Sequence, residues 1–216
     1  RKLKSIDPEI DLTPEEIRIL SNIGTTIRRD DPYKALEYLN SALELQKARG
    51  LNTTTSVSLL MNIGVVYDEF LGLDLKGLEF YHMALDIQMS LTGETNIKVA
   101  RLYKNISAAS RDKKAKFVAF NKSREIYEAL GAKLELADLY YAMAAEYSNT
   151  AYYNKAVKAY MKCVQLRAEK LGKNDPSVCE VMGDVMEILT LFRQLGVTKN
   201  EDPDLFDTEI LIAASQ

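Results

Sequence analysis

The strongest constraint on the fold of this chain is a unit of about 40 residues that recurs along most of its length. One complete copy runs from Leu60 to Leu85 as two amphipathic helical patterns separated by a turn at residues 71–74. In the first helix of each copy, a small residue follows the apolar residues at the same place in the pattern. These small residues are Gly24, Gly64, Ser107, Ala144 and Gly183. Spacings of 37 to 43 residues between these positions are typical of a repeat array.

The second helix of each copy has a fixed frame of three packing positions, the second four residues and the third seven residues after the first. They are occupied by Ala35, Leu39 and Ala42, by Gly77, Tyr81 and Ala84, by Lys116, Phe120 and Ser123, and by Ala156, Tyr160 and Cys163. In the third copy Lys116 and Ser123 replace small apolar residues and Ser110 replaces an aromatic one, so we expect that hairpin to pack more loosely. The frame predicts an all-α solenoid of about five antiparallel hairpins, or about ten helices, in which neighbouring repeats bury each other's apolar faces.

Together the patterns of the first and second helices resemble the tetratricopeptide repeat (TPR). The first helices of this chain also carry a Tyr, such as Tyr67 or Tyr147, which is part of that resemblance. The resemblance covers about Thr13 to Gly196. The long copies, joined by segments such as residues 91–100 and 171–178, are similar to those of kinesin light chains and related peptide-binding TPR proteins. The resemblance implies a right-handed superhelix with a concave groove lined by the first helices, although TPR arrays serve many unrelated functions.

Helix-start and helix-stop signals divide the chain into a linker at residues 1–12, an array at residues 13–196 and a tail at residues 197–216. Within the array we predict repeats at about 13–50, 53–91, 94–131, 133–171 and 174–196. Thr13, Asp31 and Asp175 each precede a Pro and are expected to begin helices, Thr13 and Asp74 are expected to cap helices, and Gly50 is expected to end one.

The tail contains another helix start at Asp202-Pro203, and Leu205, Phe206 and Ile210 share one helical face there. We therefore expect a linker followed by a C-terminal capping helix, because an end repeat must hide its apolar face. Alternatively, the acidic segment Glu201–Asp207 occupies a basic groove in its own or a neighbouring molecule.

Composition and motifs argue against several classes of function. A net charge of −3 disfavours general nucleic-acid binding, and the chain has no run of about 18 uncharged apolar residues for membrane insertion. The only histidine, His82, has no visible catalytic partner set, and no phosphate-binding or zinc-protease motif occurs. We therefore expect a non-enzymatic protein without cofactor or metal.

Two further sequence features bear on the setting of the chain. Cys163 and Cys179 lack a CxxC spacing and are both expected to pack in the core, which fits a reducing, cytoplasmic location. Because the chain begins with Arg1 and has no basic-then-apolar leader, we expect it to be an excised fragment or a processed product.

The TPR resemblance also indicates which residues face the groove, since the residue just before the aliphatic–small pair of each first helix points into it. That position holds Asn22, Asn62 and Asn105, followed by Ala142 and Val181. A side-chain amide there can donate to one main-chain carbonyl of an extended peptide and accept from one N–H. The same amide can instead bond a neighbouring helix or water.

Further groove positions follow from helical offsets of about four residues. The first three repeats contribute mostly cations, Arg18, Arg28, Arg29, Arg101, Lys104 and Arg111, with Asp68, Glu69 and Asp112; the last two contribute Asp138, Tyr141, Asn149, Glu180, Asp184 and Glu187. This distribution predicts a dipolar groove that is basic toward its N-terminal end and favours a peptide with an acidic segment. Solvated faces also carry such charges without any ligand.

These features predict a protein–protein interaction module or adaptor that binds a short, extended, partly acidic segment of a protein or peptide partner. A second hypothesis is a ligand-gated regulatory domain that senses a peptide, with the third repeat as its hinge. A third is a self-assembling scaffold that forms weak homo-oligomers through its end repeats or its tail.

Overall fold

A computed structural model describes residues 11–194, and within this range the chain is all-α and contains no strand. The helices there are α1 (Thr13–Ile27), α2 (Pro32–Arg49), α3 (Thr54–Val65), α4 (Asp74–Thr92), α5 (Ile97–Ala109), α6 (Lys113–Leu130), α7 (Lys133–Asn149), α8 (Tyr153–Leu171) and α9 (Pro176–Gln194). A single π-helical turn, Val66–Phe70, continues α3. The all-α repeat architecture predicted from the sequence is confirmed.

The helices begin and end close to the starts and stops that the sequence indicates: α2 begins at Pro32 after Asp31 and ends before Gly50, and α9 begins at Pro176 after Asp175. Gly72 has a φ of +64° in the turn of the second hairpin, the left-handed conformation that glycine tolerates best. The predicted capping helix from Asp202 and nearly all of the predicted N-terminal linker lie outside the described residues.

Two of the predicted helix caps are wrong. Thr13 is itself the first residue of α1, no side-chain capping bond is formed at this helix start, and the Thr13 backbone N–H instead donates to Asp11 Oδ1 at 3.0 Å. Asp74 is the first residue of α4 and makes no capping bond to a following amide, because its carboxylate pairs with Arg111. Asp31, in contrast, marks the start of α2 as predicted, and it also caps this helix by accepting from the Lys34 N–H at 2.9 Å.

The chain forms two compact units, and the boundary between them falls between Ser123 and Arg124, inside α6. In the first unit α1 packs on α2 and α3 packs on α4, while α2 contacts α3 and α4 contacts α5. In the second unit α7 packs on α8, and α8 packs on α9. Each unit therefore consists of antiparallel helices that are neighbours in sequence.

Close helix crossings in the first unit depend on glycine. A Cβ atom at Gly24 would lie 2.7 Å from Leu39 Cγ, and one at Gly64 would lie 2.6 Å from the Tyr81 ring. The predicted packing residues of the second helices are buried at these crossings, with Leu39 and Tyr81 at 0% exposure. The repeat frame thus marks the positions where paired helices approach each other most closely.

The polar residues of the third repeat are buried with hydrogen-bond partners. Ser123 is fully buried, and its Oγ donates to the Ala100 carbonyl on α5 at 2.8 Å. Ser110 is also buried and donates to the Ile106 carbonyl at 2.6 Å. A hydroxyl in a helix interface costs little when it finds such an acceptor, so serine is compatible with these packing positions.

The two cysteines differ, although both were predicted to lie in the core. Cys163 is fully buried on α8, and burial raises the pKa of its thiol to about 11. Cys179 on α9 is exposed, so that part of the prediction is wrong. The physical reason is that, among the described residues, no helix covers the side of α9 that carries Cys179.

Candidate functional site

The three predicted asparagines occupy the same rotational position on α1, α3 and α5. Each lies two residues before the small residue at the helix crossing, Gly24, Gly64 or Ser107. Because an α-helix turns about 100° per residue, two positions correspond to about 200°. Asn22, Asn62 and Asn105 therefore lie on the side of their helix nearly opposite the buried small residue.

None of these three side chains has a hydrogen-bond partner within residues 11–194. Asn22 is exposed, whereas Asn62 and Asn105 are half-buried. In other proteins, half-buried side-chain amides usually form hydrogen bonds with protein groups or water, because burying an amide without a hydrogen bond costs free energy. The amides of Asn62 and Asn105 thus keep both donor and acceptor capacity.

The predicted cations of the first repeat fall into three environments. Arg18 forms an ion pair with Glu15 on the same helix, so its charge is largely compensated. Arg28 is half-buried, and its guanidinium lies over the Phe70 ring with 5.7 Å between Cζ and the ring centroid. Arg29 is exposed and has no ion-pair partner in the part of the chain that the structure describes.

The cations of the third repeat are similarly divided. Arg111 is largely exposed, and its Nε donates to Asp74 Oδ2 at 2.5 Å, which lowers the pKa of Asp74. Lys104 is half-buried and Arg101 is exposed. The predicted positive charge of the first unit therefore comes mainly from Arg29 and Lys104. Arg111 can add to it when a carboxylate of a binding partner replaces Asp74 in the ion pair.

An acidic group occupies the turn of the second hairpin. Asp68 is half-buried within the π-helical turn, and the Tyr81 hydroxyl lies 3.4 Å from its Oδ2. Burial and the neighbouring carboxylates of Asp74 and Glu69 raise the pKa of Asp68 to about 6. The sequence pattern assigned Asp68 to the groove, whereas the structure places it against the crossing of α3 and α4.

Tyr141, which was predicted to line the groove, lies in the second unit and packs there against described residues. Its ring meets that of Tyr160 edge-on, with 5.4 Å between the centroids, and the Arg167 guanidinium lies 5.7 Å from its centroid. Burial and the Asp184 carboxylate raise the pKa of Tyr141 to about 12. Tyr141 is therefore a half-buried neutral residue held by aromatic and cation contacts.

Arg167 is a residue that sequence reasoning missed. Its Nη2 donates to Asp138 Oδ1 on α7 at 2.8 Å, and its Nη1 donates to the Ser177 carbonyl on α9 at 3.0 Å. Asp138, predicted as a groove anion, is thus engaged in the second unit itself. Arg167 lies four residues after Cys163 in the repeat frame, and that frame signals packing but not which helix a long side chain will reach.

Within the described residues the structure gives no group of His, Cys, Asp and Glu side chains arranged to hold a metal ion. His82 is exposed on α4. No helix between residues 11 and 194 combines the length and the apolar character needed to cross a bilayer.

Comparison with known proteins relates the chain to solved repeat structures. BtubC (BKLC) from P. vanneervenii matches with a TM-score of 0.57 and 15% identity, over 95% of this chain and 92% of that chain. A kinesin-light-chain-like protein of Podosopora anserina with nearly identical TPR-like repeats matches with a TM-score of 0.67 and 13% identity, over 94% of each chain. A single-residue variant of that Podosopora protein matches with a TM-score of 0.62 and 14% identity, over 96% of this chain and 98% of that chain.

No protein-family model matches this sequence, and no curated protein matches it either. At identities of 13% to 15% the structural likeness concerns the fold alone. The repeat frame, the helix order and these neighbours agree, and the chain therefore has a TPR-type fold.

Proposed function

We propose that this chain is a non-catalytic protein-interaction module that binds a short extended peptide along the first helices of its first unit. The observation that carries the proposal is the row formed by Asn22, Asn62 and Asn105. Three amides at one rotational position, none with a hydrogen-bond partner in the described range, supply a donor and an acceptor in each of three successive repeats. Such a row matches the alternating N–H and C=O groups of an extended main chain.

The charge of the surrounding residues supports a partly acidic partner. Arg29 just after α1 and Lys104 on α5 add positive charge. Arg111 adds a further cation when a carboxylate of the peptide displaces Asp74 from its ion pair with Arg111. Exposed ion pairs contribute about 0.2 to 1 kcal/mol each, and net main-chain hydrogen bonds about 0.5 to 1.5 kcal/mol. When the cost of ordering the peptide is included, we expect dissociation constants near micromolar, which correspond to a binding free energy of about −8 kcal/mol.

The role that follows is that of an adaptor which recruits a partner through one linear segment. We place it in the cytoplasm, in keeping with two thiols that form no disulfide with each other. The neighbours' TPR-like fold is compatible with this role, and the partner chemistry is inferred from the residues of this chain.

The proposal can be tested by selecting peptides from a displayed random library on the purified chain and measuring their binding by fluorescence anisotropy. We expect the selected peptides to be enriched in Asp and Glu. The double variant Asn62→Ala/Asn105→Ala should weaken their binding at least about tenfold, since two to four hydrogen bonds are lost.

A matched control is Asn40→Ala/Asn121→Ala, which removes two exposed asparagines from the second helices α2 and α6. This control should bind the selected peptides as the parent chain does. Raising the salt concentration should weaken binding in the parent chain, because exposed charges are screened. Equal binding by the two double variants would show that the asparagine row is not the site.

A further inference from the structure

One side of α9 is uncovered at positions that are covered in every other first helix. The small residue of the frame is buried as Gly24, Gly64, Ser107 and Ala144, but Gly183 is exposed. A Cβ atom added at Gly183 would meet nothing within 4 Å, whereas one at Gly24 would meet Leu39 of the following helix at 2.7 Å. The second helix that covers the other hairpins is therefore missing from α9 among the described residues.

The same absence is visible one turn earlier and one turn later on α9. Leu20, Leu60, Tyr103 and Tyr140 are buried or half-buried at the position that is exposed as Cys179. Met186, almost one turn after Gly183, is 36% exposed. The uncovered side thus extends over at least two turns of α9.

A largely apolar cavity of about 800 Å³ borders this side, between α8 and α9. Its apolar walls come from Met161, Val164 and Ala168 on α8 and from Val178 and Met182 on α9. Both walls belong to the second unit. A groove between two helices with apolar walls suits the apolar face of a third helix.

The sequence that follows α9 has the frame of a second helix. The 22 residues after Gln194 lie outside the described range, but they include Asp202-Pro203, the same start as Asp31-Pro32 of α2. Placing these starts together aligns Phe206, Ile210, Ala213 and Ala214 with Ala35, Leu39, Ala42 and Leu43, all of which are buried in α2. These four tail positions also form the widest continuous apolar arc of a helix begun at Pro203.

The connection is long enough for this segment to reach the groove. The first, second and fourth hairpins turn in three or four residues, and residues 195–202 provide eight. Eight extended residues span roughly 26 Å, more than the distance between two packed helices.

We propose that residues 203–216 form a helix that docks on α9 and against the α8–α9 cavity, with Ile210 over Gly183 as Leu39 lies over Gly24. The segment completes the fifth hairpin and covers Cys179. Asp204 and Glu209 then lie outside the docked face instead of occupying a basic groove, whereas Asp207 aligns with buried Leu36 and lies at the edge of that face.

The first test is the alkylation rate of Cys179 by iodoacetamide, followed by peptide mass spectrometry. Ile210→Asp should raise the rate at least about tenfold, because a charge in the interface favours the undocked state. Leu211→Asp is a matched control, since position 211 aligns with exposed Asn40 and should leave the rate within about twofold of the parent. The proposal is wrong if Cys179 reacts equally fast in the parent chain and in Ile210→Asp, or if its protection rises with protein concentration, which would identify a second copy as the occupant.

Buried Cys163 reports unfolding in the same experiment, since its labelling would show that a variant has lost its fold. In that case Gly183→Ala decides the question by the sign of its effect. On an open helix face Ala replaces Gly with a gain in helix propensity, and the melting temperature rises. Beneath a docked helix the new methyl group has no room, so we expect the melting temperature to fall, and a rise would overturn the proposal.

Discussion

Arg167 on α8 donates to Asp138 on α7 with 2.8 Å between Nη2 and Oδ1, while its side chain remains only 15% exposed. The same guanidinium donates to the Ser177 carbonyl on α9 and lies over the Tyr141 ring. One side chain thus connects three helices of the second unit. Because a guanidinium has several donors in a rigid plane, it can satisfy these partners at once, which a Lys ammonium of the same charge would not do.

We predict that Arg167→Met lowers the free energy of unfolding by about 2 kcal/mol, because it removes two hydrogen bonds and the ring contact. Asp138→Asn should cost less than about 1 kcal/mol, since Asp138 is largely exposed and its amide can still accept from Arg167. Urea denaturation of both variants checks this order. Lys170→Met on the same helix serves as the control for loss of an exposed cation, and a cost for Arg167→Met no greater than that control would contradict the connecting role.

The raised pKa of Asp68 predicts a pH dependence of stability. Burial and the carboxylates of Asp74 and Glu69 raise this pKa to about 6, so the folded chain binds a proton that the unfolded chain, with an ordinary carboxyl pKa of 3.8, has released. The stabilising contribution is therefore fully present below about pH 4 and is lost as the pH rises through about 6. Because Asp68 is only half-buried, we expect the loss to be about 1 kcal/mol rather than the full value that the shift implies.

The Asp68→Asn variant separates this contribution from other titrating groups. It should unfold at higher urea than the parent chain at pH 7.5 and at about the same urea at pH 4.5. The amide oxygen keeps an acceptor for the Tyr81 hydroxyl, so the difference reports charge rather than a lost bond. Equal midpoints at both pH values would show that Asp68 titrates normally in the folded chain.

Gly64→Ala should lower the free energy of unfolding by about 2 kcal/mol, although Ala is intrinsically the better helix residue. The added methyl group would lie 2.6 Å from the Tyr81 ring and 3.2 Å from the Gly77 carbonyl, so α3 and α4 would have to move apart. Gly24→Ala should also lower the free energy of unfolding, because the added methyl group would lie 2.7 Å from Leu39 Cγ and 3.0 Å from the Ala35 carbonyl, and a new Leu39 rotamer would relieve only the first contact. Thermal and urea denaturation of both variants check these losses, and a gain in stability for Gly64→Ala would show that the two helices are not in close contact.

Asn62→Ala and Asn105→Ala, made separately, should each change the free energy of unfolding by less than about 0.5 kcal/mol. The reason is that neither amide has a hydrogen-bond partner in the described part of the chain. Circular dichroism with urea titration measures this. A loss of more than about 1 kcal/mol would indicate that the amides support the fold through a bond to water or protein, and would weaken their assignment to peptide binding.

Much of the fold follows from the sequence because the repeated packing positions mark where paired helices cross. Gly64 and Tyr81 are both positions of the repeat frame, and a methyl group at Gly64 would in fact contact that ring. The contacts of Arg167 are not predictable in this way, because a long side chain can reach several helices and no repeat position specifies which. Cys179 was misassigned for a related reason, since the frame gives the side of α9 that packs but not whether a covering helix is present.

The candidate site is less fully determined by sequence than the fold. The rotational position of Asn22, Asn62 and Asn105 follows from α-helical geometry, so their common direction is predictable. Whether a charge is available is not predictable, because it depends on neighbours such as Glu15 beside Arg18 and Asp74 beside Arg111. Glu15 and Arg18 pair within one helix at a spacing of three residues, whereas Arg111 reaches Asp74 from 37 positions away in the sequence.

The π-helical turn at Val66–Phe70 changes how residues after Val65 should be aligned with the other repeats. Gly64 and Gly77 are 13 positions apart, against 11 for Gly24 and Ala35, and the wider π-helical turn accommodates one of these two additional residues. One inserted residue advances the phase of a helix by about 100°. Aligning the first helices of the repeats by a constant residue offset therefore assigns Asp68 and Phe70 to the wrong face of their helix. Residues before the insertion, such as Asn62, keep their register.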